Sequence, residues 1–248
     1  MKAAQPPAHP APLHAVHHRL RRMNELLAAA YGPQHWWPAE TPFEVILGAY
    51  LTQNTAWKVV ERSLANLREA GALTLDGLRA LSDDKLKQLI RPSGFVTRKA
   101  PALKAFVAML DAEFSGSLDT LAATPTAPLR HRLLALPGVG PETADAILLY
   151  ALGHPVPVAD EYLRRIAERH ALLPAPLRHN RANYERLADL TRQAFAAERS
   201  ADQAADAAAS HTRLYNEFHA LTVAVGKAHC GRTAHCQDCP LATDPHQS

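Results

Sequence analysis

The chain has 248 residues, 47% of them apolar, with a formal net charge of +3 and a pI near 8.8. That length can bury one large core or two small ones, and the mild positive charge is compatible with nucleic acid without demanding it. No apolar run approaches the roughly twenty residues that span a bilayer, so no membrane partner is expected. Ala and Leu dominate while aromatic and β-branched residues are sparse, which favours an all-α protein.

Residues 1–12 are rich in Pro and Ala, lack the apolar core of a secretory signal, and read as a disordered tail. From His14 to about Tyr31, Val16, Leu20, Met23, Leu26, Leu27 and Tyr31 recur at helical spacing. A loop bearing Trp36 and Trp37 follows, then an apolar run from Phe43 to Leu51 that predicts a buried helix. Ala56 to Ala70 predicts an amphipathic one. Ser82-Asp-Asp-Lys85 has the form of a helix start, Arg91-Pro-Ser-Gly-Phe95 breaks the pattern, and Lys99 to Phe114 resumes it. Two more helical stretches reach Gly226 near the end.

Leu136-Pro-Gly-Val-Gly-Pro-Glu-Thr-Ala-Asp145 is the most informative stretch. A Gly-x-Gly turn opening directly into a helix points backbone N–H groups and the positive end of a dipole at one spot, which suits a phosphate. Gly138 and Gly140 are expected to permit positive φ and close backbone approach, with Pro141 as the first helical residue. Twenty residues past Gly140, Asp160 stands where another helix begins. A carboxylate there is a good N-cap, and equally a candidate for chemistry on a nucleotide held in DNA. The three cysteines, Cys230, Cys236 and Cys239, are separated by five and two residues. Thiols this close argue for a metal cluster in a reducing, cytoplasmic compartment rather than for disulfides.

The hairpin with its downstream Asp resembles the endonuclease III-like, helix-hairpin-helix (HhH-GPD) superfamily of DNA glycosylases. Trp36-Trp-Pro38, Phe43 to Thr55, Arg91-Pro-Ser-Gly-Phe95, Gly138 to Leu148 and Phe218-His are closest in pattern to its 3-methyladenine (methylpurine) branch. The resemblance implies two helical domains with a DNA cleft between them. One is a helical barrel from 41 to 154 with the hairpin at 130–152. The other is a discontinuous domain from 13–40 and 155–248 carrying the Cys loop. It also implies a monomer that acts on damaged double-stranded DNA, cytoplasmic and nucleoid-associated when bound.

On the same resemblance Asp160 is the catalytic carboxylate. It would stabilise the positive charge that builds on the sugar as the glycosidic bond breaks, and orient the attacking water. Trp36, Trp37 and Trp57 would sandwich a flipped base, with Glu142 adding negative charge toward a cationic one. Gln53 would fill the space the base vacates, beside Asn54, and Pro137, Gly138, Val139, Gly140 and Thr143 would meet the DNA backbone. Arg91, Ser93 and Lys99 are candidates for phosphate contacts or for a solvated face. Members that also cut the strand carry Lys where this chain has Glu142, and a carboxylate cannot form the imine they need, so efficient AP-lyase activity is not expected. The Cys loop resembles the family's four-thiolate [4Fe–4S] site, but the fourth Cys is replaced by Pro245, leaving His246 or His235 as substitutes. The alternatives are an endonuclease III-type enzyme for oxidised pyrimidines and a non-catalytic helix-hairpin-helix DNA-binding protein.

Overall fold

The computed structural model describes residues 12–34, 36, 37, 39–196 and 204–246. The tail expected at 1–12 therefore lies outside the described residues, apart from Pro12. The described residues are α-helical with no named strand, only a single bridge pairing Cys230 with Ala234. They cluster into two compact units. One holds the described residues of Met1–His35, Ala159–Gln203 and Glu217–Ser248, the other those of Trp36–Val158 and Ala204–Asn216.

In the first unit, helix α1 (Leu13–Tyr31) buries Val16, Leu20, Met23 and Leu27, the stripe its periodicity predicts. It packs on α11 (Arg181–Phe195), whose last carbonyls lack partners inside the helix. Arg21 Nη1 supplies one by donating to Ala194 O at 2.6 Å. Helix α10 (Glu161–Arg169) buries Leu163, Ile166 and Ala167. The final helix, α12 (Ala204–Ala228), gives this unit its second half, including the buried Phe218, Leu221 and Val225. Gly226 is the point of closest approach: a Cβ there would stand 2.2 Å from a ring carbon of Tyr162 on α10.

In the second unit, α2 (Pro42–Leu51) is buried from Phe43 through Leu51. A helix apolar on every side needs neighbours on every side. It has them in α3 (Trp57–Glu69), α6 (Val96–Phe114), α9 (Pro141–Ala146) and the π turn Ile147–Ala151 that continues α9. Short helices α4 (Leu75–Ala80), α5 (Asp83–Leu89) and α7 (Leu118–Ala122) start on Thr74, Ser82 and Ser117, each accepting a backbone N–H three residues on. Helix α8 (Thr126–Leu134) leads into the hairpin.

The stretch expected to be one domain at 155–248 is interrupted, because residues 204–216 cluster with 36–158. The first half of α12 is tied there by Thr212 Oγ1, which donates to Gly153 O at 2.9 Å.

Candidate active site

The hairpin sits between α8 and α9. Gly138 has φ +74° and needs glycine's freedom. Gly140 does not meet the same expectation: its φ of −94° and ψ of 175° are ordinary extended backbone, and it stands as the N-cap of α9. A Cβ at Gly140 would meet nothing within 4 Å, so what that position offers is open space in front of the helix. Pro137 and Gly138 are exposed, while Val139 and Thr143 are buried. Arg130 of α8 grips Asp145 of α9 through two hydrogen bonds of 2.6 and 2.9 Å, and the Asp145 carboxylate is buried. This charge-assisted fork locks the two arms of the hairpin together. Nothing in the periodicity marks it.

Gln53 and Asn54 lie in the turn after α2, where Asn54 is exposed with φ +51°. Gln53 reaches the hairpin directly. Its Nε2 donates to Gly138 O and to Thr143 Oγ1, both at 2.9 Å. Glu142 stands exposed in the first turn of α9, where a carboxylate suits the helix dipole.

Two candidates for phosphate contact are corrected. Ser93 and Lys99 are 2% and 3% exposed, out of reach of any phosphate; Arg91 alone of the three is exposed. Lys99 Nζ donates instead to Leu51 O at 2.7 Å and to Thr55 Oγ1 and Ser93 O at 2.8 Å each. Burial pushes its pKa down to about 8. A lysine in an amphipathic register reads as solvent-facing, which is why sequence reasoning misplaced it. Beside it Phe95 was overlooked. Its ring is 54% exposed, its backbone is left-handed at φ +50°, and both Arg98 and Lys99 hold cations 5.8 Å from the ring centre. An exposed aromatic on left-handed, non-glycine backbone makes Phe95 a candidate site residue, and the Gly-Phe pair at the pattern break is its signal in the sequence.

The three tryptophans converge. Trp36 stacks on Trp37 with ring centres 5.4 Å apart, Trp57 meets Trp37 edge-on at 5.2 Å, and Tyr150 adds a fourth ring 5.0 Å from Trp37. Gly48 of α2 makes room, since a Cβ there would lie 3.4 Å from both Trp37 and Trp57. None of the three is a fully buried core residue. The Trp37 Nε1–H is buried with no acceptor among the described residues, a donor left unpaired at a cost of about 1–3 kcal/mol.

In the other unit Asp160 is the N-cap of α10: its Oδ1 accepts the Leu163 N–H at 2.9 Å. The carboxylate is 8% exposed, and Oδ2 lies 3.6 Å from Nε2 of the buried His219 on α12. Capping fixes one oxygen and leaves the other available, so the structural and chemical roles of Asp160 are compatible. His219 is a partner that local sequence could not place, being 59 positions away.

The Cys loop follows α12. Arg169 Nη1 donates to Cys230 Sγ at 2.9 Å, and its Nη2 to the carbonyls of Gly231 and Arg232. Asp244 is held by Arg19 Nε at 3.1 Å and His170 Nδ1 at 2.8 Å. Burial alone would raise the Asp244 carboxyl, but His170 and Arg19 outweigh it and hold it below the usual carboxylate range. His246 turns its Nδ1 to Asp244 O and packs its ring 5.3 Å from His170. Among the described residues no three His, Cys, Asp or Glu side chains are grouped to hold a metal ion. With Pro245 in the fourth position the loop offers three thiolates, one short of a four-thiolate [4Fe–4S] set.

An all-α architecture with a Gly-hairpin feeding a helix, an aromatic cluster and a helix-capping carboxylate defines a helix-hairpin-helix protein built for DNA. Residues 47–192 match the model of the HhH-GPD superfamily of base excision DNA repair proteins, and the chain belongs to that family. It is a base-excision-repair DNA glycosylase. A Methanocaldococcus jannaschii protein named as a DNA repair glycosylase is 37% identical over 222 residues, covering 89% of this chain and 92% of its own. Among solved structures, an H. pylori 3-methyladenine DNA glycosylase bound to 1,N6-ethenoadenine is 27% identical with a TM-score of 0.68, over 86% of this chain and 97% of that one. A non-covalent endonuclease III–DNA complex shares the fold at TM-score 0.70 and 21% identity, over 92% and 94%.

Proposed function

We propose that this glycosylase hydrolyses the N-glycosidic bond of N-alkylated purines in double-stranded DNA, as a monomer in the cytoplasm, and does not cut the strand. The observation that carries the reading is the cluster of Trp36, Trp37, Trp57 and Tyr150. N3- and N7-alkylated purines are cationic, and aromatic faces favour a cationic ring by about 0.5–2 kcal/mol. The similarity to an H. pylori 3-methyladenine DNA glycosylase bound to 1,N6-ethenoadenine supports a modified purine as the substrate.

An alkylated purine already has a weakened glycosidic bond, so leaving-group protonation matters less. The remaining demand is charge stabilisation at the sugar. Asp160 meets it with an ionised carboxylate, which also orients the water that completes hydrolysis. Glu142 stands where the lyase members of the family have an amine, and a carboxylate cannot form the imine that precedes β-elimination. Gln53 enters the duplex in place of the extruded base, and the exposed Phe95 wedges between stacked neighbours. No step uses a cluster.

The test is base release from methylated duplex beside thymine glycol and uracil duplexes, with and without borohydride. Methylpurine release with an intact strand and no trapped adduct is expected. Release of thymine glycol with a trapped adduct would replace this reading with the endonuclease III-type one. Tight binding without release from any of the three would point to a non-catalytic module. Purified protein is also expected to hold iron and zinc well below one equivalent and to keep its Tm on chelation. A stoichiometric iron cluster whose removal lowers Tm would refute that expectation.

A further inference from the structure

Two loops carry the residues that enter the duplex in the function proposed above: the turn after α2 with Gln53, and the Ser93–Phe95 turn before α6. They are joined by one buried ammonium. Lys99 Nζ takes three oxygens in a single fan: Leu51 O at the end of α2, Thr55 Oγ1 at the far side of the Gln53 turn, and Ser93 O at the root of the Phe95 turn. Thr55 completes the circuit by donating its own hydroxyl hydrogen to Ser93 O at 2.8 Å. All of these partners are neutral, as is the Phe95 ring 5.8 Å away.

Burying an ammonium among neutral groups costs stability that an apolar side chain of similar length would not. Methionine would spare that cost but leave Leu51 O, Thr55 Oγ1 and Ser93 O without the donor they share. Ammonium-to-oxygen bonds are instead strong and directional, and here they span 48 residues of sequence to fix two turns against each other.

We propose that Lys99 is a positioning residue for damage recognition. It holds Gln53 and Phe95 at a set separation, so that both insert at one base step. It touches neither base nor sugar. The inference rests on the insertion roles proposed for Gln53 and Phe95.

The experiment measures, for each variant, the ratio of affinities for a duplex with a tetrahydrofuran abasic analogue and for the same duplex undamaged, together with Tm. Lys99→Met is expected to lower that preference roughly tenfold or more, with a fall in Tm because three oxygens lose their donor. A merely structural residue would lower Tm and leave the preference between the two duplexes unchanged. Thr55→Val, which removes one acceptor of the ammonium and the donor to Ser93 O while keeping the shape, is expected to lower the preference in the same direction. Thr55→Ser, which restores the hydroxyl, brings it back, and this pair decides the matter if Lys99→Met does not fold. Gln53→Ala separates the two levels of argument. If it loses the preference while Lys99→Met and Thr55→Val keep it, the positioning role is overturned and the insertion reading stands. If Gln53→Ala keeps the preference, the insertion reading falls and the positioning role falls with it.

Discussion

Asp160→Asn is expected to lower single-turnover release of methylated purine by about 100- to 1,000-fold, the scale of losing one preorganised electrostatic stabiliser. The folded state should hardly notice. Asn caps helices about as well as Asp, and its side-chain oxygen can still accept the Leu163 N–H that Oδ1 accepts in α10. Asp160→Ala separates the two roles from the other side, because it removes the cap as well. It should cost about 1 kcal/mol more, read as a Tm lower by roughly 2–4 °C for a chain of this size. Release by Asp160→Asn at the native rate would remove Asp160 from the chemistry and leave it only as a cap.

Gly226→Ala carries a large expected structural effect next to the candidate carboxylate. The added Cβ would stand 2.2, 2.6 and 2.7 Å from Cδ1, Cγ and Cβ of Tyr162. Rotation about χ1 can move Cγ and Cδ1 but leaves Cβ at 2.7 Å, inside any real carbon contact, so α10 must move away from α12. Overpacking of this kind costs about 1–3 kcal/mol, a fall in Tm of roughly 2–4 °C for each kcal/mol. Tyr162 is two residues past Asp160, so the displacement reaches the carboxylate, and a shift near 1 Å can cost on the order of 100-fold in rate. Gly231→Ala is the control, since a Cβ there meets only Thr233 O at an ordinary 3.6 Å. A Gly226→Ala protein with native Tm and native base release would show that the two helices separate freely.

The parts of this molecule that sequence discloses are those decided within a few residues. Ser82 and Asp160 announce helix starts because a cap acts on a backbone group three positions on. Pro141 announces α9 because its missing N–H is of no consequence there. The all-α class follows from an excess of Ala and Leu. What sequence withheld is decided by partners brought from far along the chain. The Arg130–Asp145 fork, the burial of Lys99 and the approach of His219 to Asp160 each depend on how helices pack. Gly140 failed for a related reason: a second glycine in a turn invites the same reading as the first, yet only Gly138 has the backbone that requires it. The Cys loop shows the same limit: its spacing names three thiolates as a ligand type, while a fourth partner depends on how the chain folds back.

The double hydrogen bond from Gln53 to Gly138 O and Thr143 Oγ1 has a consequence for how damage would be found. In the role proposed for it, that amide must leave both acceptors before it can enter a duplex, so the resting protein is latched. Well-stacked DNA offers nothing in exchange and the latch stays shut. A step already loosened by a poorly paired base offers a vacancy worth the trade. The search along a chromosome then becomes a mechanical test of softness, made before any pocket has inspected a base.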